Sequence, residues 1–412
     1  MKLIPVDGQS VLRMMSEVSA FGATPAGGLH RLTASAADGK ARRWLKDQLA
    51  AAGCRVRVDA VGNMFGIFEL AGPDAPVVLA GSHLDSQPFG GRYDGAYGVI
   101  AALAAAQAVA TSAAEGGGPT KNVGVVNWTN EEGARFAPSL LGSNVFAGLL
   151  DPATALSSTD GDGISLGHAL AEIGFAGVDP APANVIGYLE AHIEQGPYLE
   201  NAGKPIGVVE GNWGTAKYEV TFHGRAAHTG PTPMAERRDA LLPAAELVTF
   251  MRALSDETGG ALLSSIGRLD VSPNSTNVVP EKVRVFAELR DADGARLAAA
   301  RQRLEEKVRI LGRGGIRVEL ACPVDRPAGS FDAGLAAVIE DAAGTCGHAA
   351  MRLRTVAGHD AVALSRVLPS AMLFVPSAAG ISHNEAEFTA DVDLIAGAEV
   401  LAASLGHLAG LQ

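Results

Sequence analysis

Apolar positions along the chain fall into two textures. In the first half, short apolar runs alternate with longer stretches of helical period. Residues 8–20 and 37–52 space their apolar positions as amphipathic helices. The alternation Arg55-Val56-Arg57-Val58-Asp59 predicts a strand, and Asn63 to Leu70 predicts another. Pro76 to Ala80 is a short apolar run that suits a buried strand, and 98–114, rich in Ala, Val and Leu, suits a helix. Asn122 to Thr129 and Val185 to His192 predict two further strands. Between them, 151–183 turns to Asp, Ser, Gly and Pro around one short helix near 166–173, a surface excursion. From about 211 the pattern becomes strand-like at 216–223, helical at 239–254, strand-like at 264–270 and 282–290, helical at 293–311 and strand-like at 315–321. This β-α-β-β-α-β order predicts a two-layer domain inserted in a larger one. Helix 332–346, strand 371–375 and a closing helix near 392–407 return to the first texture. The expected organisation is an α/β domain with a mixed sheet from 1–210 and 327–412, interrupted by an α+β domain at 211–326.

Composition agrees and narrows the partners. At 412 residues the chain is too long for one ordinary core, and 47% hydrophobic with 19% charged residues is a globular balance. A net charge of −12 without any basic run argues against nucleic acid or an anionic membrane surface as partner. The start, Met1-Lys2-Leu3-Ile4-Pro5-Val6-Asp7-Gly8, meets Asp and Gly too early for a signal peptide. Residues 98–114 are mostly Ala with Gln107 inside, which fits a core helix and not a membrane span. Cys54, Cys322 and Cys346 are scattered without CxxC spacing. That suits reduced thiols in the cytoplasm and argues against a disulfide framework or zinc ribbon.

Chemistry gathers at predicted strand ends, where open α/β sheets place their sites. His83 and Asp85 end the strand 76–80 region, in Gly81-Ser82-His83-Leu84-Asp85-Ser86, and Asp94 follows in Gly90-Gly91-Arg92-Tyr93-Asp94-Gly95. If a metal binds there, His83 and Asp94 ligate it and the Asp85 carboxylate clamps the far nitrogen of the His83 ring. Glu131-Glu132 ends strand 122–129, His192 ends strand 185–192, and His383 follows strand 371–375. Imidazoles with carboxylates suit zinc, manganese, cobalt or nickel better than calcium. Three histidines and two carboxylates exceed one tetrahedral shell and fit two ions sharing a carboxylate. Adjacent glutamates point opposite ways at a strand end, so one can ligate while the other serves as general base.

Taken together, the motifs resemble a known family. To the two glycine-flanked motifs are added Asn130-Glu131-Glu132-Gly133-Ala134-Arg135-Phe136, His192-Ile193-Glu194-Gln195-Gly196-Pro197, Ala357-Gly358-His359-Asp360-Ala361 and Ile381-Ser382-His383-Asn384-Glu385. In this order they resemble the dinuclear-metal amidohydrolases related to aminoacylases and carboxypeptidases. The nearer resemblance is to the branch of N-carbamoyl-L-amino-acid hydrolases, β-ureidopropionases and allantoate amidohydrolases. The resemblance implies a catalytic domain with an inserted lid and dimerisation domain. It also implies two divalent ions, zinc first, held by His83, Asp94, Glu132, His192 and His383, with Asp94 bridging and Glu131 as base. His192 stands where peptidases of the wider group carry an acid, which points away from peptide hydrolysis. Gly224 to Met234, with Arg237-Arg238-Asp239-Ala240 after it, resembles the lid segment but departs from it at Thr229 and Pro231. There His228 would stabilise the oxyanion in a neighbouring subunit, and Asn277 and Arg290 would bind a substrate carboxylate. Gln195 and His359 would line the pocket. The implied activity is cleavage of the ureido C–N bond of a small ureido acid such as an N-carbamoyl-L-amino acid, in a cytoplasmic homodimer. Allantoate hydrolysis, an aminoacylase or dipeptidase, and a metal-binding scaffold without catalysis are the alternatives.

Overall fold

The strand Val77–His83 (β3) is buried at every position, which a strand covered on both faces requires. It lies beside Asn122–Trp128 (β4) and Val185–Ile193 (β5), parallel to both. The strand Ser370–Val375 extends the parallel set by pairing with β5. Antiparallel strands flank this heart. Arg55–Val58 (β1) pairs with Met64–Phe68 (β2), which pairs with β4. Ile206–Asn212 (β6) pairs with Ser370–Val375, and Ala350–Thr355 lies beside β6. The sheet is therefore mixed, as its sequence predicts. The four parallel strands bring their carboxyl ends to one edge, where open α/β sheets place their ligands.

A computed structural model describes residues 1–411 of the chain. It forms two compact units, Met1–Gly211 with Ser330–Gln412, and Asn212–Gly329. In the first unit, helices Ala96–Ser112 and Asp391–Ala409 cover one face of the sheet together with Gly8–Ser19 and Ala333–Thr345. Ala96–Ser112 is apolar nearly all round because it is buried nearly all round. Ala96–Gly116, which runs on from the first of these, and Asp391–Ala409 meet the length and hydropathy of a membrane span, yet 72% and 67% of their apolar windows are buried inside the protein. They are core helices. The opposite face packs Phe65, Trp128, Tyr188 and Phe374. Helix starts follow side-chain chemistry: Asp7 accepts from the N–H groups of Gln9 and Ser10, and Ser35 from that of Asp38.

The second unit is a four-stranded antiparallel sheet with Gly214–His223 and Lys282–Asp291 at its centre, flanked by Arg317–Arg326 and Leu263–Ser272. Helices Leu241–Glu257 and Gly294–Leu311 close its apolar core. The sequence pattern missed two strands of the first unit, Ile206–Asn212 and Ala350–Thr355. The first carries two glycines, and the second alternates Met351 and Leu353 with Arg352 and Arg354, as an edge strand does.

Candidate metal centre

β3 ends at His83, and the chain then turns so that the Asp85 main-chain carbonyl faces His83 Nδ1 at 2.9 Å. The expected clamp on this ring is thus made by the Asp85 carbonyl, while its carboxylate stands 3.7 Å away. That carboxylate has other work. It accepts the Thr33 hydroxyl (2.8 Å) and the backbone N–H groups of Glu131 (3.4 Å) and Glu132 (3.3 Å). Asn130, in a left-handed conformation (φ 58°), turns the chain after β4 so that this becomes possible. His192 Nδ1 faces the Ile193 carbonyl at 2.9 Å. Backbone acceptors at Nδ1 leave the Nε2 atoms of both rings facing the Asp94 loop, with the Gly95 N–H 3.2 Å from His192 Nε2, and both could ligate a cation there.

Asp94 lies between them, in the loop that leads into helix Ala96–Ser112. Its Oδ1 is 3.2 Å from His192 Nε2 and 3.7 Å from His83 Nε2. Its Oδ2 is 3.2 Å from His383 Nε2, which is 3.5 Å from Glu132 Oε2. Gly95, at φ 65°, is required here because a Cβ would come within 2.3 Å of the His83 ring. The structure therefore brings together two groups, His83–Asp94–His192 and Asp94–Glu132–His383, each with ligand atoms within 4.8 Å of one another, and Asp94 belongs to both. His83, Asp94 and His192 are buried, whereas the His383 side chain is half-exposed.

Charge balance supports a cation in this place. Burial alone would raise Asp94, but the bonds from His192 and His383 hold it well below the usual carboxylate range. Burial would lower His192, yet Asp94 pushes it up to about 9; Asp94 also pushes His383 up to about 9. Asp94 thus draws positive charge onto both rings. Burial, and then the neighbouring carboxylates, push Glu131 well above the usual range and Glu132 up to about 8. Crowded carboxylates and imidazoles of this kind are the donor set of a divalent transition metal. Glu131 Oε2 faces His83 Nε2 at 3.5 Å, beside both groups.

Two expected pocket residues sit elsewhere than on an open wall. Gln195, also left-handed (φ 59°), donates its amide to Asp94 Oδ2 (2.8 Å) and Ser382 Oγ (3.1 Å). His359 is buried, bonds Thr355 Oγ1 through Nε2 (3.0 Å) and stacks edge-on against His192 with centroids 4.4 Å apart. Glu190, His192 and His359 form a third cluster of ligand-type atoms. Glu190 there is already satisfied by the Ser82 hydroxyl (2.7 Å) and the Ala361 N–H (2.8 Å).

In the second unit, His228 and Asn277 lie together. Ala227–His228 pairs with Val278–Val279, and the Thr229 N–H donates to the Asn277 carbonyl (3.2 Å). His228 Nδ1 accepts the Gly230 N–H at 3.0 Å. Arg290 is paired with Glu288. In the ladder with Gly214–His223, Lys282 faces His223 at one end and Arg290 faces Thr215 near the other.

Motif reading overlooked several residues that shape the centre. Gln87 bonds both oxygens of Glu132, at 3.1 Å through its backbone N–H and 2.9 Å through its amide. Glu387 reaches the Asp94 loop, and its sequence signal was an acid four residues beyond His383. Asp360 is fully buried and neither oxygen has a hydrogen-bond partner among the described residues; the Ser143 hydroxyl donates instead to the Leu140 carbonyl (3.2 Å). Burial, with Glu190 nearby, raises Asp360 well above the usual carboxylate range. Its folded form therefore keeps a proton that the unfolded chain releases above about pH 4, so this group's contribution falls as pH rises. Asp360→Asn should raise the stability of chelator-treated protein by about 1–2 kcal/mol at pH 8 and by less at pH 5. Thermal melts at the two pH values check this.

Known proteins bear on the same residues. The model of peptidase family M20/M25/M40 matches residues 79–407. An N-carbamoyl-L-amino-acid amidohydrolase of Rhizobium meliloti is 39% identical over 94% of this chain and 93% of its own length. The allantoate amidohydrolase of Escherichia coli (strain K12) is 34% identical over 97% of this chain and 98% of its own. Among solved structures, a hydantoinase/carbamoylase family amidase from Burkholderia multivorans superposes with a TM-score of 0.88 at 38% identity, covering 99% of both chains. With similarity of this extent running through every segment that builds the centre, the chain belongs to peptidase family M20/M25/M40, in its branch of amidohydrolases that includes N-carbamoyl-L-amino-acid and allantoate amidohydrolases.

Proposed function

We propose that this amidohydrolase cleaves the ureido C–N bond of a small carboxylate-bearing substrate, an N-carbamoyl-L-amino acid, at a centre of two divalent ions. The observation that carries the reading is the shared carboxylate, with Oδ1 of Asp94 facing His83 and His192 and Oδ2 facing His383. His83 and His192 would hold one ion, Glu132 and His383 the other, and Asp94 both. Bound there, zinc, manganese, cobalt or nickel supplies Lewis acidity and a water acidic enough to react near neutral pH. Glu131 takes the proton of the attacking water as oxygen adds to the ureido carbon. It returns the proton to the leaving nitrogen as the C–NH2 bond breaks. Ammonia departs, and the carbamate left on the amine loses CO2 to give the amino acid.

The inserted unit serves as lid and dimerisation domain in this reading. From Lys282 to Arg290 the ladder runs eight residues, about 27 Å at strand rise. The loops of His228 and Asn277 lie beyond the Lys282 end, where the Gly224 N–H meets the Glu281 carbonyl (2.7 Å). Within one copy, Arg290 and the His228–Asn277 pair thus lie towards opposite ends of this ladder. A homodimer suits this arrangement, in which Arg290 from one protomer would hold the substrate carboxylate and His228 and Asn277 of the other would meet the oxyanion and the carboxylate. The three cysteines are free, which fits work in the cytoplasm.

The test is ammonia release from N-carbamoyl-L-amino acids, β-ureidopropionate and allantoate, and hydrolysis of N-acetyl-amino acids, each with zinc, manganese, cobalt or nickel. Carbamoyl amino acids should be turned over at least ten-fold faster than allantoate and be inert after chelation. Faster turnover of allantoate assigns the alternative substrate, and hydrolysis only of acetyl substrates overturns the ureido reading.

A further inference from the structure

Glu387 takes no part in the reaction above, yet it is buried (4% exposed) at the junction of the two loops that carry Asp94 and His383. Its Oε1 accepts the N–H groups of Tyr93 (2.9 Å) and Asp94 (3.1 Å). Its Oε2 lies 3.1 Å from Ser382 Oγ. The chain makes room for it, since a Cβ at Gly91 would come within 1.9 Å of the Glu387 carboxyl carbon. Ser382 Oγ is also 3.2 Å from Asp94 Oδ2 and accepts the Gln195 amide at 3.1 Å. A serine hydroxyl has one hydrogen, so it can donate to Asp94 or to Glu387 but not to both. His383, the next residue, holds a left-handed backbone (φ 54°), so the loop must be braced to present its ring.

We infer that Glu387 is a positioning residue that draws the Ser382 hydrogen away from Asp94 Oδ2 and so keeps that oxygen open to the ion of the Asp94–Glu132–His383 group. Two acceptors compete for the same hydroxyl at nearly equal distance. Glu387 is fixed in that competition by the two backbone N–H groups on its other oxygen. Were Glu387 unable to accept, the hydroxyl would turn to Asp94 Oδ2, which already receives the Gln195 amide at 2.8 Å. Two donors would then occupy the lone pairs that the second cation requires. The other half of the centre, through Asp94 Oδ1, is untouched.

The inference rests on the two-ion reading, and the experiment separates the two. Chelator-treated wild-type enzyme, Glu387→Gln and the double variant Glu387→Gln/Ser382→Ala are titrated with Mn2+ at pH 8 by calorimetry, with bound metal counted after gel filtration. Glutamine retains an oxygen for the Tyr93 and Asp94 N–H groups but offers Ser382 a donor, which forces the hydroxyl towards Asp94. Wild type should bind two equivalents. Glu387→Gln should bind the first with unchanged affinity and the second at least ten-fold more weakly. Removing the competing hydroxyl in the double variant should restore at least five-fold of that loss. A purely structural role predicts no such rescue. A single equivalent in wild type defeats the two-ion reading. Two equivalents in wild type with an unweakened second site in Glu387→Gln, or no recovery in the double variant, overturns the inference about Glu387. Should Glu387→Gln fail to fold, as read by circular dichroism, Glu387→Asp replaces it. It too must weaken the second site selectively, because the shorter acid cannot reach both loops; equal weakening of both sites refutes the assignment.

Discussion

Glu131→Gln is expected to lower turnover by about 10³-fold, within the range removed with a general base, while both metal equivalents stay bound. Glutamine has the size and shape of the side chain it replaces, so the loop between β4 and the following turns should hold. The Asp85 carboxylate receives the Glu131 backbone N–H, a bond the substitution leaves intact. What is lost is the ability to take a proton. Burial and the neighbouring acids raise Glu131 well above its usual range, and a bound cation opposes that rise by stabilising the charged form. In the loaded enzyme the acid limb of the rate profile should report this group, and that limb should vanish in the variant. KM should change little because in the proposed mechanism Glu131 acts on water and not on the substrate carboxylate. Metal content equal to wild type together with near-normal turnover would rule out Glu131 as base.

The parts of the molecule that sequence alone made legible are those fixed by local chemistry. The all-apolar run of β3, the helix after Gly95 and the alternating strands of the inserted unit carry their structures in their periodicity. The structure gathers His83, Asp94, Glu132, His192 and His383 because each lies at or beyond the end of a strand of the parallel set, and parallel strands share an edge. The detail was less accessible. Asp85 was expected to clamp His83 with its carboxylate, but β3 ends at His83, and the turn that follows offers a carbonyl there and sends the carboxylate to the Glu131–Glu132 backbone. Gln195 was expected to line the pocket, and its amide also holds Asp94. No spacing rule foretells such contacts, because those of Asp85 with the Glu131–Glu132 backbone and of Gln195 with Asp94 join residues 46 to 101 positions apart, through loops whose paths depend on single left-handed residues such as Asn130 and Gln195. Asp360, a buried acid whose oxygens have no hydrogen-bond partner among the described residues, lies within a motif of the chain yet gave no sign of it.

Asp94→Ala should have the largest effect of all, because in the proposed two-ion centre one side chain serves both halves. Both metal equivalents should be lost at micromolar metal, and activity should fall by about 10⁴-fold or more, since the general base loses the activated water on which it acts. Stability gives an independent reading. A cation that binds only the folded form stabilises it by about 2.7 kcal/mol at a hundred times its dissociation constant, so added metal should raise the wild-type Tm and leave the variant unmoved. The metal-free proteins should differ as well. The Asp94 carboxyl is held well below its usual range, so its contribution is present above about pH 4 and lost only in stronger acid. His192 and His383 are each raised to about 9, so theirs is present below about pH 6.5 and lost as pH rises through 9. Near pH 6 both are in place, and metal-free wild type should exceed metal-free Asp94→Ala in stability by the widest margin, with the gap closing towards pH 10. Urea titrations at pH 6 and pH 10 measure that margin. A gap that widens at pH 10 would mean that Asp94 is not the partner of these histidines, and the shared carboxylate on which the two-ion centre depends would have to be sought elsewhere.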